Sequence, residues 1–176
     1  TNKAAAEMRE RVQKLLGGDL SGLQIGTFHS ICARLLRIEA DHTPYDRDYV
    51  IYDTDDQIAV LKNVIAEMNV DPKKFKPGGV LNAISTAKNE LIEPGEYIGR
   101  DYPEYQRRLV ASNALDFDDL LMQTVLLLRD HPDVREKYQQ RYEHILVDEF
   151  QDTNQAQYQL VQVLASPQEN VLVVGD

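Results

Sequence analysis

Ile145-Leu-Val-Asp-Glu-Phe-Gln-Asp-Thr153 is a short apolar run that ends abruptly in two adjacent carboxylates, Asp148 and Glu149. An unbroken run such as Ile145-Leu146-Val147 suits a strand covered on both faces, as strands are in the parallel sheets of α/β domains. Such sheets bind ligands at the carboxyl ends of their strands, where Asp148 and Glu149 emerge. In nucleotide hydrolases the first acid at this place holds magnesium and a neighbour orients the attacking water. A strand that merely ends in a polar turn has the same pattern, because so short a string recurs by chance. The remainder of the chain decides between the two.

Around this stretch the composition is that of a globular protein, with 176 residues, 43% of them hydrophobic, enough for one good core or for one small domain and part of another. No apolar run approaches the length of a membrane span, and the first residues are not a secretory signal. A soluble, cytoplasmic protein is the expectation. The single cysteine, Cys32, has no partner for an internal disulfide or a zinc cluster and reads as packing. A formal net charge of -10 and a pI near 4.8 argue against a nucleic-acid binder as far as the sum goes. A local groove can still be basic while the remote surface is acidic.

Working outward, Thr153-Asn154 opens a helix through Tyr158, Val161 and Leu164, and Asn170-Val-Leu-Val-Val-Gly-Asp176 reads as a second apolar strand. Upstream, Thr1-Asn2 caps a helix with the stripe Ala4, Met8, Val12 and Leu15, closed by Gly17-Gly18. Leu23–Thr27 is a third strand candidate, feeding a helix with Ile31, Leu35 and Ile38 on one side. Thr54 with Gln57 reads as a capping box for a helix through Ile58, Leu61, Ile65 and Met68. The basic, breaker-rich Lys73–Gly79 reads as a solvated linker, followed by a helix through Val80, Ile84, Ala87 and Leu91 that Pro94-Gly95 stops. A further helix runs from Tyr102 to Asn113, and another begins within Leu115–Leu121. Asp116, Asp118 and Asp119 lack the glycine and distant glutamate of a calcium loop and read as helix N-terminal acids. Pro132 takes a first-turn position in the last helix before Ile145.

The fold class that follows is α/β, predominantly helical: a partial parallel sheet with a large inserted all-α subdomain. A right-handed crossover needs only one helix, and the stretch between the first and second strand candidates is far longer. The expected division is 1–41 and 144–176 in one α/β domain and 42–143 as the helical insert.

Four segments in order resemble the UvrD/PcrA/Rep group of superfamily-one DNA helicases. They are Thr1–Val12, Gly26-Thr-Phe-His-Ser30, Leu115-Asp-Phe-Asp-Asp-Leu-Leu121 and Val147-Asp-Glu-Phe-Gln-Asp-Thr-Asn-Gln-Ala-Gln157, with Val173-Val-Gly-Asp176 as a truncated fifth. In that family they are motif Ia, the TFHS segment, the LDFDDL segment, motif II and the start of motif III. The resemblance implies a first RecA-like, P-loop motor domain at 1–41 and 144–176, with the accessory domain often called 1B at 42–143. It implies an ATP-driven translocase moving 3′ to 5′ on single-stranded DNA, acting at single-strand/duplex junctions in repair or replication, with partner proteins from those processes. Carried over by residue, Asp148 holds the Mg2+ of MgATP, Glu149 positions and activates the water, and Gln151 senses the terminal phosphate and couples it to DNA. Thr1, Asn2, Thr27, Phe28 and His29 lie in segments that line the single-strand path, where hydroxyl and amide groups bond phosphate and an aromatic ring stacks on a base.

No G-x-x-x-x-G-K-[ST] loop is present, nor a second motor domain with its arginine finger. The expectation is therefore an internal fragment of such a helicase, without ATPase activity by itself. The insert also looks short between Pro94 and Tyr102. Two alternatives stand beside this one: a fragment of a recombination helicase-nuclease of the AddA or RecB kind, and a helical protein-interaction module whose Asp-Glu strand is structural.

Overall fold

A computed structural model describes residues 1–71 and 73–176. Eight α-helices and four short strands follow one another as α1 (Asn2–Leu16), α2 (Phe28–Ile38), β1 (Val50–Ile51), α3 (Thr54–Glu67), α4 (Pro77–Asn89), α5 (Asp101–Ala111), β2 (Ala114–Leu115), α6 (Phe117–Asp130), α7 (Pro132–Arg141), β3 (Ile145–Val147), α8 (Gln155–Ala165) and β4 (Val171–Val173) among the described residues. Two parallel pairs form, β1 with β2 and β3 with β4. The fold is α/β and mostly helical, as the sequence suggests.

Helix ends are set by local chemistry. The Thr1 hydroxyl accepts from the Ala4 amide at 3.2 Å, and Gly17 closes α1 in the left-handed region at φ 62°. Pro77 and Pro132 occupy the first turns of α4 and α7, where a missing N–H costs nothing. The box that opens α3 is displaced by one residue from the expected Thr54–Gln57. Asp53 accepts from the Asp56 amide at 2.9 Å, and the Asp56 carboxylate accepts from the Asp53 amide at 3.1 Å. Aspartate caps more strongly than threonine, and here it stands one position earlier.

Two apolar clusters form. The larger joins α2, α6, α7 and α8 through Leu35, Leu36, Leu120, Leu121, Val134 and Leu160, among others. The smaller joins α3, α4 and α5 through Leu61, Ile84, Tyr102, Tyr105 and Leu109. Helices α6 and α7 fall inside the expected 42–143 insert by sequence, yet their apolar faces pack with α2 and α8.

Two further readings need correction, and one pair of strands was not foreseen. Leu23–Thr27 is not a strand: it has no ladder partner among the described residues, and is tied down by the Tyr142 hydroxyl donating to Gln24 at 2.5 Å and by Arg9 donating to the Ile25 carbonyl at 2.9 Å. A strand exists only where a neighbour accepts its hydrogen bonds. Strand β3 is covered on one face, not two, since Val147 is 7% exposed and Leu146 is 72% exposed. Successive side chains alternate, so Ile145, packed against the larger cluster, and the buried Val147 share one face while Leu146 points away. The parallel pair β1–β2 was not expected at all, because two residues per strand leave no periodicity to read.

Lys88 joins the two clusters. Its ammonium, with no exposed surface, lies 2.6 Å from Asp116 Oδ2 and 2.8 Å from Asp119 Oδ1. The same aspartates form the capping box of α6, each accepting from the other's amide at 2.8 and 3.1 Å. From α5, the Tyr105 hydroxyl donates to Asp116 at 2.9 Å and the Gln106 amide donates to Asp119 at 3.1 Å. Two buried carboxylates share one cation, and the surplus negative charge has a consequence. Burial lifts the Asp119 carboxyl to about 6, the Asp116 charge adds to the lift, and Lys88 and Gln106 oppose it. Burial opposes the Lys88 charge too, but Asp119 and Asp116 outweigh it and hold the ammonium above its ordinary range. A carboxyl raised in the folded state favours folding fully below its unfolded value of 3.8 and loses that contribution as pH rises through about 6.

Replacing the cation tests this account. Lys88→Met leaves two buried carboxylates unpaired and is expected to cost about 3–5 kcal/mol at neutral pH, read by urea unfolding. Relative to wild type, the deficit narrows as pH falls through about 6 toward 4, where the folded Asp119 carboxyl binds a proton.

Candidate functional site

The acids stand where the β3–β4 ladder runs out. Ile145, Leu146 and Val147 pair in parallel register with Val171, Leu172 and Val173. The Val174 amide then donates to the Val147 carbonyl at 2.9 Å and the Phe150 amide to the Val174 carbonyl at 2.9 Å. Between those two bonds the chain must turn sharply. Asp148 accepts from the Glu149 amide at 3.0 Å, and Glu149 sits in the left-handed region at φ 52°, ψ 45° before the 3-10 turn Phe150–Asp152.

This turn gathers three of the expected site residues. Asp148, Glu149 and Gln151 are all exposed, and the Gln151 amide donates to Glu149 Oε2 at 2.6 Å. The bond engages one Glu149 oxygen and aims the carboxylate. A side chain at Gly175 would lie 2.3 Å from Gln151 Oε1, so the absence of one lets Gln151 fold back over the turn. The donor set fits magnesium. Asp148 offers exposed carboxylate oxygen, and no group of three or more His, Cys, Asp or Glu forms a protein cage among the described residues. Magnesium bound to a nucleotide uses one or two carboxylates and fills its remaining positions with phosphate and water.

A second cluster forms at the other end of the expected residues. Thr27 caps α2 by accepting from the Ser30 amide at 3.2 Å, and its hydroxyl lies 3.4 Å from Asn2 Oδ1 in α1. Thr1 caps α1 beside them. His29 stacks on Phe117, with ring centroids 3.7 Å apart and planes 15° apart. Burial lowers the His29 pKa and the Asp118 charge opposes that shift. Phe28 is half-buried and packs against the larger cluster. The sequence reading passed over Phe117. It stands at the first position of α6, directly after the Asp116 cap, and is 55% exposed. A bulky aromatic at the open end of a helix otherwise rich in leucine was the available signal.

The structure thus holds two separate groups of the expected residues, an Asp-Glu pair at the end of a parallel strand and a set of hydroxyl, amide and aromatic groups at the caps of α1 and α2. The chain matches the UvrD/REP helicase N-terminal domain over residues 1–176 and belongs to that family. It is 46% identical to the ATP-dependent DNA helicase PcrA of Bacillus subtilis, over all of this chain and 25% of that protein. Against the PcrA of Staphylococcus aureus strain Mu50 the identity is also 46%, and against that of Staphylococcus epidermidis 43%, each over all of this chain and 26% of the relative. The chain thus spans about a quarter of the length of the relatives it matches. These alignments run over 187 positions against 176 residues here, so the relatives carry residues that this chain lacks. No helix of the described residues is long and apolar enough to cross a membrane.

The left-handed Glu149 carries a stability consequence. A side chain in that region costs roughly 1–2 kcal/mol, and glycine there avoids the cost at the expense of unfolded-state entropy. Glu149→Gly is therefore expected to leave stability unchanged or raise it by up to about 1 kcal/mol in urea unfolding, although it removes the central carboxylate.

Proposed function

We propose that this chain is part of an ATP-driven DNA helicase, a translocase that moves 3′ to 5′ on single-stranded DNA in the cytoplasm and works at single-strand/duplex junctions in repair or replication. Residues 1–41 and 144–176 belong to the RecA-like motor domain and 42–143 to the inserted helical accessory domain. The observation that carries this reading is the turn after β3, where Asp148, Glu149 and Gln151 converge at the carboxyl end of a parallel strand in a chain of the UvrD/REP family.

In this reading Asp148 holds Mg2+ and Glu149, aimed by Gln151, receives the proton of the attacking water. The metal, when bound, neutralises charge on the transferring phosphoryl group. Gln151 responds to the terminal phosphate, and its bond to Glu149 supports this role, because a group that draws its amide away releases Glu149. Thr1, Asn2, Thr27, Phe28 and His29 line the strand path. Hydroxyl and amide groups at two adjoining helix N-termini suit phosphate oxygens without reading base sequence. Phe117 joins them: stacked on His29, it extends a flat surface on which bases of any identity can lie. The overall charge of -10 makes this path a local feature rather than a property of the whole surface.

In the whole protein, Asp148→Asn is expected to lower ATP turnover by on the order of 100-fold or more while single-strand affinity stays near wild type. Turnover retained by that variant would overturn the assignment. Phe117→Ala is expected to weaken binding of fluorescent single-stranded oligonucleotide roughly tenfold, equally for different sequences, with the affinity of both proteins falling as salt rises.

A further inference from the structure

Asn89, the last residue of α4, bonds a neighbour of each half of the proposed machinery and belongs to neither. On one side is Asn154, the N-cap of α8, which follows the acid turn. Its Oδ1 accepts from the Gln157 amide at 2.9 Å, so its Nδ2 is left to donate, and it donates to Asn89 Oδ1. That bond fixes the orientation of the Asn89 amide in turn. Its Nδ2 donates to Asp118 Oδ1 at 3.0 Å and to the Ser85 carbonyl at 2.8 Å. Asp118 lies in the first turn of α6, next to Phe117, and its charge reaches His29.

The two carboxamides therefore form an oriented chain. Neither can flip without placing like groups against each other, because each oxygen and each nitrogen is already committed to a donor or an acceptor. The α6 end of this chain is held firmly. Lys88, the residue before Asn89, is clamped between Asp116 and Asp119 at the same α6 N-terminus, so α4 and the start of α6 behave as one piece. Any displacement of the α8 cap that accompanies a change in the acid turn must either break the Asn154–Asn89 bond or shift that piece, and with it the Phe117 face.

We propose that Asn89 is a positioning residue that couples the acid turn to the His29–Phe117 edge, joining the α8 cap to the first turn of α6 through its oriented carboxamide. This rests on the function proposed above. In that setting its role is to transmit strand occupancy to the water-orienting turn, without touching nucleotide, metal or DNA.

The test uses two variants of the whole protein. Asn89→Ala deletes the link, and Asn154→Ser deletes it from the other side while keeping a side chain able to cap α8. Each is assayed for ATP turnover with and without single-stranded DNA, for oligonucleotide affinity and for thermal stability. The expected result is that stimulation by DNA falls about tenfold in each variant and no further in the double variant, while DNA-free turnover and affinity stay within about twofold of wild type. Unchanged stimulation in the two variants overturns the proposal. So does a parallel fall of DNA-free and DNA-stimulated turnover, which marks Asn89 as scaffold. If Asn89→Ala does not fold, Asn154→Ser alone decides by the same criteria. A wild-type protein without DNA-stimulated turnover overturns the proposed function itself, whereas a stimulated wild type with unaffected variants overturns only the coupling.

Discussion

A single buried ammonium holds the architecture together. Lys88 is placed by α4 between the two aspartates that cap α6, and α5 adds a hydroxyl and an amide to the same pair. An arrangement of this kind contributes little net stability, since desolvating the charges costs about as much as pairing them returns. Its value is directional. Apolar faces slide past one another at modest cost, but a lysine between two carboxylates has one position, and that position sets the register of α4 and α5 on α6. The smaller cluster is thereby fixed against the larger one at a point rather than along a greasy surface.

From that point the Phe117 face and the Asn89 link follow by short covalent steps. Phe117 comes one residue after Asp116, and Asn89 one residue after Lys88. The acid turn is built by other means: two backbone bonds on either side of Asp148 and Glu149 force the chain through the left-handed region. Backbone strain of this kind persists where the surrounding ladder over-determines it, and it collects at functional sites. Gly175 opposite leaves room for Gln151, so the carboxylate is aimed by a contact that a larger neighbour would displace.

Much of this was legible in the sequence where chemistry is local. The Thr1 cap, the Gly17 stop, the first-turn prolines and the apolar run into Asp148-Glu149 are decided within a few residues, and the sequence carries them plainly. The capping of α3 by Asp53 rather than Thr54 shows the limit of such signals when two capable residues stand side by side. Lys88 was readable in principle: Val80, Ile84 and Lys88 are spaced four apart, which puts a lysine on the buried stripe, but nothing local names its partners 28 and 31 residues further on. Leu23–Thr27 fails for the converse reason. Its composition suits a strand, and whether it becomes one depends on a neighbour that composition cannot supply. Phe117 and Asn89 stayed hidden because stacking and amide orientation are properties of assembled surfaces.

The ladder that presents the acids is three residue pairs long, and its outward side chains Leu146 and Leu172 are 72% and 57% exposed. Helix α6, by contrast, has Leu120, Leu121, Met122 and Leu128 at 1% exposure or less. Amide hydrogens in α6 can exchange with solvent only when the larger cluster comes apart, whereas those from Asp148 to Gln151 need only a brief parting of two short strands. The chain thus keeps its proposed chemistry on a short, half-covered ladder and its anchoring on a deeply buried helix.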